Sequence, residues 1–170
     1  MNNKENFESI IKNHKPTILN VCRIYSDGKR EDMSDLFQEI LINIWKSIRS
    51  FEGKSSINTW LYRVSLNTAI SHLRKKNKQI PIIEIREEFN RLTDENKPDE
   101  QLEILYEAIE KLNEVDKSLI FLYLENKSHK EIAEILGISV SNVGTRIQRI
   151  KIKLEQIIKN NNYDKGRIEN

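Results

Sequence analysis

Residues that interrupt helices are rare in this chain. Its 170 residues include only five glycines and three prolines, and apolar residues recur at intervals of three and four. Glycine and proline end or kink helices, whereas a period of 3.6 residues places every third or fourth side chain on one helix face. The pattern therefore predicts an all-α protein.

The helical segments fall into two blocks. The first block, residues 5–78, holds a segment around Phe7, a second after Pro16, a third from Met33 to Arg49, and a helix at 58–76. The second block, residues 102–160, holds three further segments and is followed by a tail at 161–170. Between the blocks, positions 84–103 carry eight acidic residues against three basic ones. We therefore predict two small helical domains joined by a weakly ordered acidic linker at 79–101.

Charge, cysteine content and hydropathy limit the environments that suit the chain. Lys and Arg total 28 against 26 for Asp and Glu, so affinity for nucleic acid has to come from local patches. The single cysteine, Cys22, allows no intrachain disulfide, and its apolar neighbours predict a buried helix face. No apolar run approaches the roughly 20 residues of a membrane span, and the N-terminus lacks the apolar stretch of a signal peptide. We expect a cytoplasmic protein.

The helix at 58–76, NTWLYRVSLNTAISHLRKK, has two apolar faces. Leu61 and Val64 mark one face, and Leu66, Ala69 and Leu73 mark another. Burial on two sides leaves one narrow strip to solvent, which carries Trp60, Arg63, Asn67, Ser71 and Arg74, followed by Lys75. Structural roles are open for these residues: the Trp ring can pack the preceding loop onto the domain, and the cations can stabilise a helix C-terminus.

Residues 128–154 have the pattern of a helix-turn-helix. Ser128 and Glu131 fit a capping box, Gly137 fits the left-handed residue that ends a helix, and Ser139 can cap the next helix. In the second helix, Val143, Ile147, Ile150 and Leu154 form an apolar seam. The rest of that helix, with Lys130 before the turn, carries residue types that contact base edges and phosphates: Ser141, Asn142, Thr145, Arg146, Gln148, Arg149 and Lys151. A solvated α-hairpin is the alternative, but the turn and the basic polar face together favour DNA binding.

The segment from Met33 presents a second face that its core does not use. Asp35, Gln38, Glu39 and Ile42 follow one another at i, i+3, i+4 and i+7. An isoleucine among acidic and amide groups indicates a surface for a protein partner. Asp35 and Glu39 could ligate a hard metal, but no further ligand lies at a suitable spacing, so neither metal nor cofactor is predicted.

Two stretches resemble bacterial sigma factors of the sigma-70 family. The run from Asp35 to Lys76, DLFQEILINIW…SINTWLYRVSLNTAISHLRKK, resembles their region 2. The run at 105–157, LYEAIEKLNEVDKS…SHKEIAEILGISVSNVGTRIQRIKIKLEQI, is similar to their region 4. No region 1.1 and no long region 3 is present, which narrows the resemblance to the extracytoplasmic-function group.

The resemblance implies a factor that binds core RNA polymerase and promoter DNA and has no chemistry of its own. Asp35, Gln38, Glu39 and Ile42 would bind the clamp helices of the polymerase β′ subunit. Region 4 would read the −35 element and contact the β flap. The −10 element would be bound as it melts by a loop and the helix after it, at Phe51, Glu52, Gly53, Lys54, Ser55, Ser56, Trp60, Arg63, Asn67, Ser71, Arg74 and Lys75. A melted strand offers phosphates to the cations, a base edge to Asn67 and a π face to an aromatic ring.

Two positions depart from the family pattern. Asn113 stands where a proline is common, and asparagine can cap the following helix in its place. Gly144 stands where a Lys or Arg is usual, so one phosphate contact to the −35 element is expected to be missing.

Two other classes of protein are alternatives to a sigma factor. A stand-alone helix-turn-helix regulator would use the first block to dimerise, whereas a sigma factor should be monomeric when free of polymerase. The resemblance also allows an anti-sigma factor as a partner. An enzyme is not predicted, because His14, His72 and His129 are scattered and no nucleophile and base converge in the sequence.

Overall fold

The structure is a computed structural model that describes residues 3–26, 30–79 and 100–168. Seven α-helices occupy these ranges: α1 (Asn3–Tyr25), α2 (Arg30–Ser47), α3 (Ile57–Gln79), α4 (Glu100–Glu110), α5 (Glu114–Leu124), α6 (His129–Leu136) and α7 (Val140–Ile168). A single 3₁₀ turn, Ile48–Ser50, follows α2, and no strand occurs in the described ranges. The all-α prediction is confirmed.

The chain divides into two compact units at the 92/93 boundary. The first unit contains α1–α3 and the second contains α4–α7, and they are called the first and second domains below. The acidic linker predicted at 79–101 falls largely on 80–99, which lie outside the described residues, so its weak order stays a prediction. The tail predicted at 161–170 begins within α7, which continues to Ile168.

Helix α1 is continuous through Pro16, whereas the sequence predicted two separate segments. Proline inside a helix removes one hydrogen bond and costs about 3 kcal/mol. Beyond it, Ile18, Val21, Cys22 and Tyr25 are all buried. Burying a large apolar side chain contributes about 1.5 to 3 kcal/mol, so the packing of this half of the helix outweighs the local cost.

Helix α3 packs against both α1 and α2, as its two apolar faces predicted. Leu61, Leu66 and Ala69 are buried, and the hydroxyl of Thr68 is buried with them. Thr68 Oγ1 accepts a hydrogen bond from Asn43 Nδ2 of α2 at 3.0 Å and donates to the Val64 carbonyl at 2.7 Å. These bonds satisfy the buried hydroxyl and fix the register of α3 on α2.

Cys22 lies in the core of the first domain, as its apolar neighbours predicted. The residue is fully buried, and burial raises the pKa of its thiol to about 12. A thiol with such a pKa carries almost no thiolate at neutral pH, so it packs as a small apolar side chain.

The caps predicted for the second domain are present. Ser128 and Glu131 form the complete capping box of α6, and Gly137 ends that helix in the left-handed region at φ +68°. Ser139 Oγ accepts from the Asn142 amide at 3.2 Å, and Asn113 caps α5 by accepting from the Asp116 amide at 2.9 Å. The Asn that replaces the family proline therefore keeps the start of α5.

The core of the second domain includes the predicted seam of α7. Val143, Ile147, Ile150 and Leu154 are buried, together with Ile132 of α6. Helix α7 packs against α4, α5 and α6, and its outer face remains exposed to solvent. None of the described helices is long and apolar enough to cross a membrane.

Two glycines of the second domain should respond in opposite directions to replacement by alanine. At Gly144, in the helical part of α7, an added Cβ would lie 3.7 Å from the His129 ring, which is ordinary contact. Gly144→Ala should therefore stabilise the second domain by about 1 kcal/mol through helix propensity. Gly137→Ala should destabilise it by about 1 kcal/mol, because alanine disfavours a φ of +68°. Native-state hydrogen exchange of α5 and α7 amides measures both changes in stability. If both substitutions stabilised the second domain, or both destabilised it, the conformations given for these two glycines would be contradicted.

Candidate nucleic-acid interface

The predicted strip on α3 is exposed in the structure. Arg63, Asn67, Ser71 and Arg74 are exposed, and Trp60 is half-buried at the start of the strip. At 1.5 Å per residue the strip extends for about 21 Å. We call Trp60, Arg63, Asn67, Ser71 and Arg74 the opening strip.

The loop that precedes α3 packs against the first turn of that helix. The rings of Phe51 and Trp60 lie 5.1 Å apart between centroids, and Ser56 Oγ accepts a hydrogen bond from the Thr59 amide at 3.1 Å. Gly53 has a φ of +70°, which favours glycine at this turn. The packing role considered for Trp60 is therefore present, and the half-buried ring keeps a face or edge for a ligand.

The remaining loop residues are accessible. Lys54 and Gly53 are exposed, and Ser55 is half-buried. Lys54 Nζ forms an ion pair with Glu52, and both side chains are largely exposed. An exposed pair of this kind is weak, so it leaves the ammonium available to a phosphate.

The predicted polymerase-binding face of α2 is exposed except at Glu39. Asp35 and Gln38 are exposed, and Ile42 is 51% exposed, which is high for an isoleucine. Trp45, which the sequence pattern did not single out, follows Ile42 by three residues. It is 40% exposed and packs edge-to-face on Phe7 at 5.1 Å. Its spacing of i+3 from Ile42 was the available signal. The two apolar side chains lengthen this face by one turn.

Glu39 forms hydrogen bonds with α3 rather than facing solvent alone. Its Oε2 lies 2.9 Å from His72 Nδ1, and its Oε1 accepts from Lys75 Nζ at 3.1 Å. On the other side, His72 Nε2 lies 3.2 Å from Asp32 Oδ1, which Lys76 Nζ approaches at 2.8 Å. Glu39, predicted to bind polymerase, and Lys75, predicted to bind DNA, thus form a hydrogen bond with each other.

The contacts of His72 shift the pKa values of the groups involved. Partial burial alone would lower the pKa of His72, but the hydrogen bonds and charges of Glu39 and Asp32 outweigh burial and raise the pKa above its ordinary value. The hydrogen bond from His72 lowers the pKa of Glu39, and Lys75 adds to this against the effect of burial.

The pKa shifts predict a pH dependence for the stability of the first domain. A raised folded-state pKa means that His72 contributes its full stabilisation below its unfolded value near 6.5, and loses it as pH rises through the folded value. Glu39 contributes its full stabilisation above its unfolded pKa of 4.5 and loses this as pH falls through the lowered folded pKa. The unfolding free energy of the first domain should therefore fall on the alkaline side in the wild type but not in His72→Gln. Urea unfolding followed by the fluorescence of Trp45 and Trp60 measures it, and parallel curves for the two proteins would refute it.

The outer face of α7 presents most of the residues predicted for duplex DNA. Ser141, Asn142, Thr145, Gln148 and Arg149 are exposed, and Lys130 is exposed at the start of α6. Thr145 Oγ1 donates to the Ser141 carbonyl at 3.1 Å, which leaves its hydroxyl oxygen as an acceptor toward solvent.

Two cations of this face have partners within the second domain. Arg146 Nη2 donates to Asp116 Oδ1 at 3.1 Å, and Asp116 also accepts from the capping residue Asn113 at 2.7 Å. Lys151 Nζ donates to the Tyr123 hydroxyl at 2.9 Å and lies 4.4 Å from the ring centroid. These contacts join α7 to α5. Arg149 is an exposed cation of the same face and is a stronger candidate for a DNA contact than Arg146 or Lys151.

No group of three or more His, Cys, Asp or Glu side chains suited to a metal ion occurs in the described parts of the chain.

Comparison with known proteins identifies both domains. The family model for sigma-70 region 2 matches residues 10–79, and the model for sigma-70 region 4 matches residues 102–154. The chain belongs to the sigma-70 family. Its similarity to extracytoplasmic-function sigma factors places it in that group.

This sigma factor has curated relatives of comparable length. It is 30% identical over 169 residues to the ECF RNA polymerase sigma-E factor of Haemophilus influenzae, covering 91% of this chain and 88% of the relative. It is 30% identical over 164 residues to the RNA polymerase sigma factor YlaC of Bacillus subtilis, covering 92% and 94%. The predicted resemblance is confirmed.

Two solved structures share the fold of this sigma factor. The sigma factor RpoE from Bartonella quintana, solved with the anti-sigma factor NepR, matches with a TM-score of 0.70 and 21% identity over 91% of this chain and 98% of that one. CnrH, solved with the cytosolic domain of CnrY, matches with a TM-score of 0.66 and 20% identity over 92% and 89%.

Family membership gives the function. This sigma factor binds core RNA polymerase and promoter DNA and initiates transcription as an alternative sigma factor. A stand-alone dimeric regulator is not favoured, because the first domain matches sigma region 2 throughout α2 and α3.

Proposed function

We propose that the first domain, residues 5–78, binds polymerase through α2 and the melted −10 element through the opening strip, and that the second, residues 102–160, reads the −35 element through α7. The observation that carries this proposal is the opening strip. Helix α3 is buried on two sides, and the exposed remainder has an amide and cations beside a half-buried Trp. The half-buried Trp60 ring packs on Phe51 and still offers a surface on which an unpaired base can stack.

The test is run-off transcription with purified core polymerase. The intact chain should start transcripts at a defined position downstream of paired −35 and −10 elements, and core polymerase alone should not. A promoter library sequenced from the transcripts would identify both elements. Absence of any promoter-dependent start, with the chain bound to core, would contradict the −10 and −35 assignments.

The remaining assignments follow from this function. The factor acts in the cytoplasm as a monomer when free of polymerase, and it assists polymerase without being an enzyme itself. We propose an anti-sigma factor as a further partner, because the two solved structures named above are of complexes, one with an anti-sigma factor and one with a cytosolic domain.

Arg149→Ala should weaken recruitment of holoenzyme to −35 sequences. Arg149 is exposed on the outer face of α7, where the usual cation at position 144 is missing. If the guanidinium contacts a phosphate, the slope of log affinity against log salt should decrease by about one; if it contacts a base edge, one base preference should relax. Gel shift of holoenzyme on closed promoters at several salt concentrations measures both.

Lys153→Ala is the matched control for Arg149→Ala. Lys153 is another exposed cation of α7, four residues further along the helix and outside the predicted DNA contacts. Its loss should leave the salt slope unchanged. Equal effects of the two substitutions would show that α7 binds only through diffuse positive charge.

A further inference from the structure

Five charged side chains form a continuous row between α2 and α3. Lys75 bonds to Glu39, Glu39 to His72, His72 to Asp32, and Asp32 to Lys76, with donor and acceptor atoms 2.8 to 3.2 Å apart. The carboxylates come from α2, and the other three groups come from one turn of α3. The row therefore connects the face that carries Asp35 and Gln38 with the end of the opening strip.

The middle of this row requires a charged imidazole. Both ring nitrogens of His72 face carboxylate oxygens, and an ionised carboxylate can only accept hydrogen bonds. A neutral imidazole has one N–H, so it would satisfy one carboxylate and turn a lone pair toward the other. The doubly protonated ring satisfies Glu39 and Asp32 together.

The surroundings of the ring strengthen this requirement. The His72 side chain is 17% exposed and that of Asp32 is 12% exposed, so water screens the contact only in part. The charged groups of the row are the two carboxylates of α2, which face the ring, and the ammonium groups of Lys75 and Lys76, which bond to those carboxylates. The two acids outweigh burial and raise the pKa of His72.

We propose that protonated His72 is a positioning residue for polymerase binding: it fixes Glu39 on the polymerase-binding face of α2 and, through Glu39, Lys75 beside the opening strip. The inference rests on the proposed role of α2 in binding polymerase. Loss of the proton frees one carboxylate from the ring and loosens Glu39. Affinity for core polymerase should then fall as the pH rises, through a group on the sigma factor itself.

The experiment compares wild type with His72→Gln. Glutamine offers one amide donor and one carbonyl acceptor from its end, as neutral histidine does, but its hydrogen bonding does not change with pH. Dissociation constants of the full chain for core polymerase are measured from pH 6 to 9. The variant should bind about tenfold more weakly than wild type at pH 6, the scale of one charge-assisted hydrogen bond, and the two should converge at pH 9. Using the ratio cancels titration of the polymerase.

A second variant separates positioning from general damage to the fold. The second variant combines Asp32→Asn with His72→Gln. In it the Asn amide can donate to the Gln carbonyl, so the row of hydrogen bonds is complete without a protonated imidazole. This protein should regain most of the affinity lost by His72→Gln and should do so equally across the pH range. His14→Gln and His129→Gln remove the other two histidines and should keep the wild-type pH profile.

The outcomes distinguish this inference from the proposed function. Convergence of wild type and His72→Gln at high pH, with recovery in the double variant, supports the positioning role. A ratio that is constant across pH, or a pH profile abolished by His14→Gln, overturns it while the function stands. Failure of every protein, wild type included, to bind core at any pH overturns the proposed function instead.

Discussion

Asn67→Ala should form closed complexes nearly as well as wild type and open promoters poorly. Asn67 is exposed in the middle of the opening strip, between Arg63 and Ser71, so it can contact a base that has left the duplex. Losing the amide should cost about 1 to 3 kcal/mol at the melted state, the scale of one specific base contact. Permanganate footprinting of the −10 element measures opening, and gel shift of the same holoenzyme measures closed binding.

Two controls define what the Asn67 result means. Asn13→Ala removes an exposed amide from α1, outside the opening strip, and should open promoters like wild type. A promoter with a pre-melted bubble should rescue Asn67→Ala only in part, because unpairing is supplied but the base contact is still missing. If Asn67→Ala opened promoters like wild type, the strip would be an ordinary solvated face. If it lost closed binding as fully as Arg149→Ala, Asn67 would not act specifically at the melted state.

Replacing Asp35 and Gln38 together by alanine should weaken polymerase binding by roughly 2 to 5 kcal/mol while the helical content stays the same. Both side chains are exposed beside Ile42, and the fold gives no reason for an isoleucine to be half exposed there. Truncating one partner of a buried charged contact between proteins has a cost of this size. Fluorescence anisotropy of labelled chain titrated with core polymerase measures the affinity, and circular dichroism measures the helix.

The matched control is Glu8→Ala with Asn13→Ala, which removes one acid and one amide from exposed positions of α1. This pair should bind core polymerase like wild type. If the α2 variant bound equally well, polymerase would have to contact another surface of the first domain.

Local features of the sequence predicted most of the fold. The two faces of α3, the capping box at Ser128 and the turn at Gly137 each depend on residues within a few positions of one another. Pro16 shows where local reasoning failed. The chemistry of proline predicted a break, but side chains that pack against other helices decided the outcome, and their contribution is invisible to a local pattern.

The sequence predicted which side chains of the candidate site are exposed, but it did not predict the hydrogen bonds among them. Arg63, Asn67 and Ser71 lie on the exposed strip that the periodicity of α3 indicated. The partners of Glu39 and Arg146 could not be predicted, because His72 is 33 residues from Glu39 and Asp116 is 30 from Arg146. Such pairs form only when helices pack, and a charged side chain on a helix surface has many candidate partners.

The burial of Cys22 makes the native chain a chemical reporter of its own opening. Thiol reagents react with the thiolate, so a sealed side chain with a pKa near 12 reacts only when α1 separates from the helices that cover it. Because the chain has no other cysteine, the labelling rate measures how often the first domain opens transiently, and it is not affected by the second domain. Measured with and without core polymerase, that rate would show how strongly docking restrains α1, with no label or substitution added to the protein beforehand.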